Sequence, residues 1–252
     1  NLLVSLNENY IPPLKVMLKS MFVNNKDRDF AVYLMHSDIP EHRIGDLKRF
    51  VESEGHQLHP KIVDRNLFRR AVVLKHFTIE MYYRLVAFKF LPNHLDRILY
   101  LDPDIVVLNS VNDFYHIDFG DHYFVAAEHD YTTKMTKTFN RIRLGIPESI
   151  GYFNTGVLLM NVSRLRSEAD ERQIFDFIEK NRHKLILPDQ DVFNALFWDK
   201  ILPADGLRYN YDARYYDLTK LIPSAKTSID WIKENTVFLH YCGKQKPWQP
   251  TY

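Results

Sequence analysis

Short apolar runs alternate with longer stretches of helical spacing along most of this chain. Asn1–Leu6 reads as a buried strand, and Tyr10–Asn24 follows as an amphipathic helix with Leu14, Met17, Leu18 and Met21 on one face. Phe30–Met35 predicts a second strand, Glu41–Glu54 a second helix and Gln57–Val63 a third strand. Thr78–Leu91 predicts a helix opened by a Thr78 cap, with Glu80 suited to its N-terminus and Met81, Leu85, Phe88 and Phe90 suited to the core. Ile98–Leu101, Tyr123–Glu128, Tyr152–Asn161 and Val237–Leu239 complete the strands, while Ser163–Asn181 reads as one long helix and Pro188–Trp198 as another. This alternation implies an α/β fold with a mostly parallel sheet covered on both faces. Ligands of such sheets bind beyond the carboxyl ends of the strands.

Composition narrows the class. The 252 residues suffice for one large core and fall short of two ordinary domains, so a single domain over residues 1–252 is expected. A hydrophobic share of 46% and a charged share of 26% are ordinary for a globular chain. A net charge of +1, without a basic run, argues against nucleic acid as a partner. Cys242 is the lone cysteine, which excludes an internal disulfide and suits a reducing, cytoplasmic compartment. It reads as a small buried residue rather than a metal ligand. No stretch reaches the roughly 18 apolar residues of a membrane span, and the first strand lacks the charged start of a signal peptide. The chain begins without Met and stops soon after Trp248. Truncation at the C-terminus, and peripheral membrane association through segments not printed, are therefore left open.

The chemistry-bearing candidates sit at strand ends. In RILYLDPDIVV (Arg97–Val107) the apolar strand closes on Asp102-Pro103-Asp104. Side chains two apart share a face in extended backbone, so both carboxylates can reach one hard cation. Pro103 fixes its own φ and biases Asp102 toward extended geometry. Taken alone, the tripeptide reads as a turn.

HYCGKQKPW (His240–Trp248) changes that balance, because the imidazole of His240 can complete a metal site, Gly243 relaxes the backbone and Lys246 can meet phosphate. There is no glycine-rich phosphate loop of either common type. A diphosphate would then need a cation and basic side chains, which fits Asp102, Asp104, His240 and Lys246. Asn7, Glu8, Asn9 and Tyr10 directly follow the first strand, where a nucleotide would lie. Two further stretches are ambiguous: Asp130–Ser149 reads equally as a lid or a surface helix and loop, and the tyrosine-rich Leu207–Leu218 as an acceptor platform or, better, as loop packing.

SLNENY (Ser5–Tyr10), YLDPDIVV, YFNTGVLLMN (Tyr152–Asn161), PDQD (Pro188–Asp191) and HYCGKQKPW form an ordered set that resembles glycosyltransferase family 8. That family includes retaining galactosyl- and glucosyltransferases of bacterial lipopolysaccharide and lipooligosaccharide synthesis, and glycogenin. The resemblance extends from residue 1 to about residue 248 and implies a sheet of the GT-A type. It also implies transfer of galactose or glucose from a UDP-sugar to a hydroxyl of a glycan or glycolipid, with Mn²⁺, or Mg²⁺ in its place, as cofactor.

Carried to this sequence, the resemblance implies metal ligands at Asp102, Asp104 and His240, and donor contacts at Ser5, Asn7, Asn9, Tyr10, His76, Arg84, Asn154, Gly243 and Lys246. Many family members have Asp where this chain has Asn7, which weakens the base contact there. Asp189 and Gln190 of PDQD would face the transferred sugar, although an Asp at a helix start is commonly only a cap. A double displacement would need a carboxylate nucleophile beneath the anomeric carbon. An amide stands there, so Gln190 suits stabilisation of an oxocarbenium-like sugar, Asp189 orients hydroxyls, and front-face substitution is expected. In that scheme the metal acts as a Lewis acid on the departing β-phosphate. Two alternatives remain at this point: a sugar-nucleotide-binding protein without transfer, and another Asp-x-Asp enzyme such as a phosphatase. The phosphatase would want a hydroxyl residue soon after the pair, where Ile105 and Val106 follow.

Overall fold

The computed structural model describes residues 1–69, 71, 78–128, 134–147, 150–219 and 228–250. The first half begins as the pattern predicts, with β1 (Leu2–Ser5), α1 (Ile11–Val23), β2 (Ala31–His36), α2 (Glu41–Ser53) and β3 (Gln57–Ile62). There follow α3 (Tyr83–Val86), β4 (Arg97–Leu101), β5 (Ile105–Val107), α4 (Asn112–Tyr115), β6 (Phe124–Glu128) and α5 (Lys134–Leu144). The rest comprises β7 (Phe153–Asn161), α6 (Val162–Glu168), α7 (Glu171–Asn181), α8 (Pro188–Phe197) and β8 (Ile201–Ala204). It ends with α9 (Gly206–Tyr209), β9 (Tyr211–Asp212), α10 (Ala213–Thr219), α11 (Ile229–Asn235) and β10 (Phe238–His240).

Seven strands form one sheet in the order β3-β2-β1-β4-β7-β6-β8, and a second sheet has the order β5-β10-β9. Every pairing in the large sheet is parallel except the two made by β7. The reversal of β7 positions the site. Its first residues lie beside the last residues of β4, so that Asp102 N donates to the Gly156 carbonyl at 2.8 Å. Beyond Asp102 the chain leaves the large sheet, and β5 pairs antiparallel with β10, setting Ile105 opposite His240.

Period-two alternation divides the core between the two faces of the large sheet. Leu3, Tyr33, Met35, Ile98, Leu158 and Met160 face Phe193 of α8 and Ile174 of α7 in one cluster. Leu2, Val4, Leu34, Leu99 and Leu159 face Leu14, Met17, Leu18 and Met21 of α1 in the other.

Two helical expectations require correction. Thr78–Leu91 is not one helix: 3-10 turns at Ile79–Tyr82 and Ala87–Lys89 flank the single turn of α3, and Thr78 makes no side-chain cap. Met81 to Phe88 are buried without a solvent face, and Arg84 Nε takes the Met81 carbonyl at 2.9 Å, so packing on all sides overrides helical propensity. Ser163–Asn181 is likewise two helices. Ala169 is extended, and Asp170 starts α7 by accepting the Arg172 N–H. His76 lies outside the described residues. So do 130–133 and 148–149 of the Asp130–Ser149 stretch, whose centre forms α5. No helix among the described residues is long and apolar enough to cross a membrane.

Candidate active site

Asp102 ends the run from the large sheet, Asp104 opens the path into the small one, and His240 closes β10 opposite. One ligand atom from each of the three lies within 4.8 Å of the other two. His240 Nε2 is 3.3 Å from Asp104 Oδ1 and 3.9 Å from Asp102 Oδ2. The other side of each group is held by protein. Asp102 Oδ1 accepts from Tyr100 OH at 2.8 Å and pairs with Arg84 at 2.9 Å. Asp104 Oδ2 is held by Lys246 Nζ, and His240 Nδ1 meets Asn210 Oδ1 at 2.9 Å.

Three ligand atoms therefore share one point, where His240 Nε2 faces the two carboxylate oxygens. Their spacing approaches the diameter of one ligand shell, about 4–5 Å for metal–oxygen bonds of about 2.0–2.6 Å. Two carboxylate oxygens and an imidazole nitrogen also suit a first-row divalent ion. This donor set fits the implied metal. Burial would raise the Asp104 pKa, but His240 and Lys246 hold it well below the ordinary carboxylate range.

Gly156 makes the approach of His240 possible. A Cβ on this residue would stand 2.3 Å from His240 Cε1 and 2.8 Å from Asp102 Oδ2. The space that a side chain would take there is filled by the imidazole.

Arg84 is buried, not a residue on a solvated face. Besides Asp102 and the Met81 carbonyl, it reaches Asp189 Oδ2 at 3.3 Å and the Thr155 carbonyl at 2.6 Å, with its guanidinium carbon 4.3 Å from the centroid of the Tyr100 ring. It ties the end of β4 to the start of α8. Asp189 also accepts from Thr155 Oγ1 at 3.1 Å. Burial pushes its pKa up, more strongly than Arg84 draws it down.

Next to it, Gln190 Oε1 accepts from Asn154 Nδ2 at 3.2 Å, and Asn154 Oδ1 accepts from both Gly156 N and Asn210 Nδ2 at 2.8 Å. Asp191 is not a cap: from the fourth position of α8 it reaches back to accept from the Ile186 and Leu187 N–H groups, which precede the helix. It also receives Tyr152 OH and a bidentate Arg143.

The remaining expected residues border this cluster. Asn7 Oδ1 accepts from Asn9 N at 3.0 Å, capping a short turn through Tyr10. The Tyr10 ring meets Trp248 edge to face at 6.4 Å, which brings the first strand end to the last motif. Ser5 is buried against Tyr100, with its hydroxyl 3.2 Å from the phenol oxygen. Gly243 has φ +90°, a conformation L side chains rarely adopt. Lys246 Nζ also donates to the Tyr241 carbonyl at 2.8 Å, so its ammonium faces Asp104 and backbone. Cys242 is half-buried, with its thiol pKa raised by burial. Asn210, Tyr100 and Thr155 were not anticipated, since a single Asn, Tyr or Thr carries no spacing signal.

A family model described as Glycosyl transferase family 8 matches residues 1–251. A lipopolysaccharide 1,2-glucosyltransferase of Escherichia coli is 27% identical over 248 residues, covering 96% of this chain and 71% of that protein. General stress protein A of Bacillus subtilis (strain 168) is 25% identical over 250 residues, covering 96% of this chain and 85% of its own. A crystal structure of the galactosyltransferase LgtC, in complex with donor and acceptor sugar analogues, aligns with TM-score 0.84 at 22% identity. It covers 99% of this chain and 89% of that one.

Proposed function

We propose, for a chain that belongs to glycosyl transferase family 8 and is a glycosyltransferase of the GT-A fold, transfer of a hexose from a UDP-sugar to a hydroxyl acceptor with retained anomeric configuration. Residues 1–252 act as one catalytic domain in the cytoplasm, and the hexose is galactose or glucose. The acceptor is a cell-surface glycan or glycolipid precursor, in keeping with the lipopolysaccharide named for the Escherichia coli relative.

The observation that carries the mechanism is the state of the carboxylates around Gln190. Asp189 is bound by Arg84 and Thr155, and Asp191 by Arg143, Tyr152 and two backbone N–H groups. Asp191 has both oxygens engaged and Asp189 is tied through Oδ2, which disfavours both as nucleophiles for an anomeric carbon. An acceptor hydroxyl would instead attack from the face that UDP leaves. As the new C–O bond forms, the bond from the anomeric carbon to the β-phosphate oxygen breaks with its electron pair on phosphate, and the hydroxyl proton passes to a phosphate oxygen. The Gln190 carbonyl stabilises positive charge on the sugar, and Asn154 and Asp189 orient its hydroxyls.

Asp102, Asp104 and His240 would hold Mn²⁺, or Mg²⁺, which when bound supplies Lewis-acid stabilisation of charge on the leaving diphosphate. Lys246 adds fixed positive charge, Arg84 and His76 complete the donor side, and Gly243 shapes the loop beneath the phosphates. Tyr10 stacks on uracil, and Asn7, whose Oδ1 is occupied by its cap, offers its amide N–H to the base; Ser5 and Asn9 frame that contact.

The test is UDP release from UDP-glucose and UDP-galactose by purified protein, with Mn²⁺ and with chelator, alongside Asp104→Ala. Release from one donor that disappears with chelator and in the variant is the expected result. A folded protein that neither binds nor turns over either donor would overturn the reading.

A further inference from the structure

Asn210 stands outside the metal group and outside PDQD, yet it connects them. Its two polar atoms face different partners: Oδ1 meets His240 Nδ1 at 2.9 Å, and Nδ2 meets Asn154 Oδ1 at 2.8 Å. Amide oxygen and nitrogen have to be assigned from their partners, and here one partner is unambiguous. The Gly156 N–H can only donate, and it points at Asn154 Oδ1 at 2.8 Å.

That single backbone donor orders the whole chain of amides. The Asn154 atom facing Gly156 must be oxygen, so Asn210 must offer it nitrogen. Asn210 then presents oxygen to His240, and His240 must carry a proton on Nδ1, leaving Nε2 to the point shared with Asp102 and Asp104. In the other direction, Asn154 presents nitrogen to Gln190, so the Gln190 carbonyl oxygen is held on the Asn154 side at 3.2 Å. Gln190 Nε2 is buried without a hydrogen-bond partner of good geometry, with the Tyr152 hydroxyl close enough to feel it. Asn210 is itself buried, which makes the arrangement insensitive to solvent.

We infer that Asn210 is a positioning residue that sets two things at once: the His240 tautomer that can ligate a cation, and the orientation of the Gln190 amide toward the transferred sugar. This rests on the reading of the site given above, and its consequence is a separation that an isosteric variant can expose. Asn210→Asp keeps an oxygen toward His240 Nδ1–H but has no donor for Asn154 Oδ1, which is then caught between the Gly156 N–H and a carboxylate. Asn210→Ala removes both partners.

The test measures Mn²⁺ affinity by calorimetry, and the rate of UDP release from UDP-glucose and UDP-galactose, in wild type and both variants. Far-ultraviolet circular dichroism and thermal melts select folded samples. Asn210→Ala is expected to weaken Mn²⁺ about 10–100-fold, as loss of a partner to a ligating histidine does. Asn210→Asp is expected to keep Mn²⁺ affinity within about 3-fold while the saturated rate falls at least about 10-fold. Equal loss of metal affinity in both folded variants, or an unchanged rate in Asn210→Asp, would overturn the inference while leaving the proposed activity intact. A wild type that binds no Mn²⁺ would overturn both.

Discussion

Replacing Gly156 by Ala tests the geometry of the metal group with the smallest change available. The added Cβ would lie 2.3 Å from His240 Cε1, 2.8 Å from Asp102 Oδ2 and 2.9 Å from His240 Nδ1. Carbon atoms in good contact sit about 3.5–4.0 Å apart, so the ring or the strand must yield by about 1.2–1.7 Å. Neither is free to do so. β7 is paired on both edges, by β4 and β6, and the imidazole is held through Asn210 and by the pairing of His240 with Ile105. Forcing an extra methyl into a packed site costs about 1–3 kcal/mol, and at about 2–4 °C per kcal/mol for a chain of this size the Tm falls by about 2–12 °C. A shift of His240 near 1 Å is several times the roughly 0.2 Å tolerance of a ligand distance, so Mn²⁺ affinity should fall at least about 10-fold. Titration calorimetry with Mn²⁺, run on variant protein that melts cooperatively, reads the effect. Gly151→Ala is the control: its Cβ meets the Glu128 side chain just as closely, at 2.3 Å, but a carboxylate on a flexible stem can move aside and Mn²⁺ affinity should not change. Wild-type Tm and Mn²⁺ affinity in Gly156→Ala would refute the steric argument.

Arg143→Met leaves Asp191 buried without its bidentate partner, and urea unfolding should show a loss of about 3–5 kcal/mol; a change under about 1 kcal/mol would mean that the pair holds nothing. Arg84→Lys keeps the charge but not the fork that spans Asp102 and Asp189, so the rate of UDP release should drop at least about 10-fold with little recovery at high Mn²⁺, and a wild-type rate would contradict the bridging role. The lowered pKa of Asp104 contributes stability that is complete above its unfolded value of about 3.9 and is lost as pH falls toward the folded value. In metal-free Asp104→Asn that loss is absent, so stability should decline less between about pH 6 and about pH 3 than in wild type; an identical or steeper decline would reverse the sign assigned to Asp104.

How much of this was readable from residues alone differs sharply between the parts of the site. Asp102 and Asp104 read alone as a turn, which the structure has at 103–104, and they were legible as a pair only beside His240, which ends an apolar run. The two faces of the sheet were legible from the period of two. Arg84 was not: by residue type it reads as a solvated helical arginine, and only the family resemblance set it near the donor. Its burial follows from contacts with Asp102, Thr155 and Asp189, all distant in sequence. The break before α7 was present as Asp170, whose side chain caps the new helix, but the apolar residues on either side concealed it. Asn210 carried no signal, since its role depends on where three other strand and helix ends meet. The capping expected of an Asp at this helix start is not what forms either: Asp191 reaches back to the N–H groups before the helix and pairs with Arg143.

The same contacts bear on why a cation and a diphosphate would enter this crevice together. Three carboxylates converge there, those of Asp102, Asp104 and Asp189, against two fixed cations, Arg84 and Lys246. Arg84 serves two of the carboxylates and Lys246 the third, so the protein's own charges nearly but not fully cancel. Burial works against a charge on His240, but Cys242 and Asp104 hold its pKa well above the ordinary imidazole value, so before a metal arrives its proton balances the third carboxylate. A ligating imidazole must be neutral, so a divalent ion at Asp102 Oδ2, Asp104 Oδ1 and His240 Nε2 would displace that proton and leave the cluster with net positive charge. A diphosphate would meet that charge in a partly desolvated cleft, where attraction is poorly screened. The arrangement thus couples donor binding to metal binding through charge. Because Lys246 is already committed to Asp104, its positive charge lowers the cost of gathering the carboxylates, leaving the gain of positive charge to the metal.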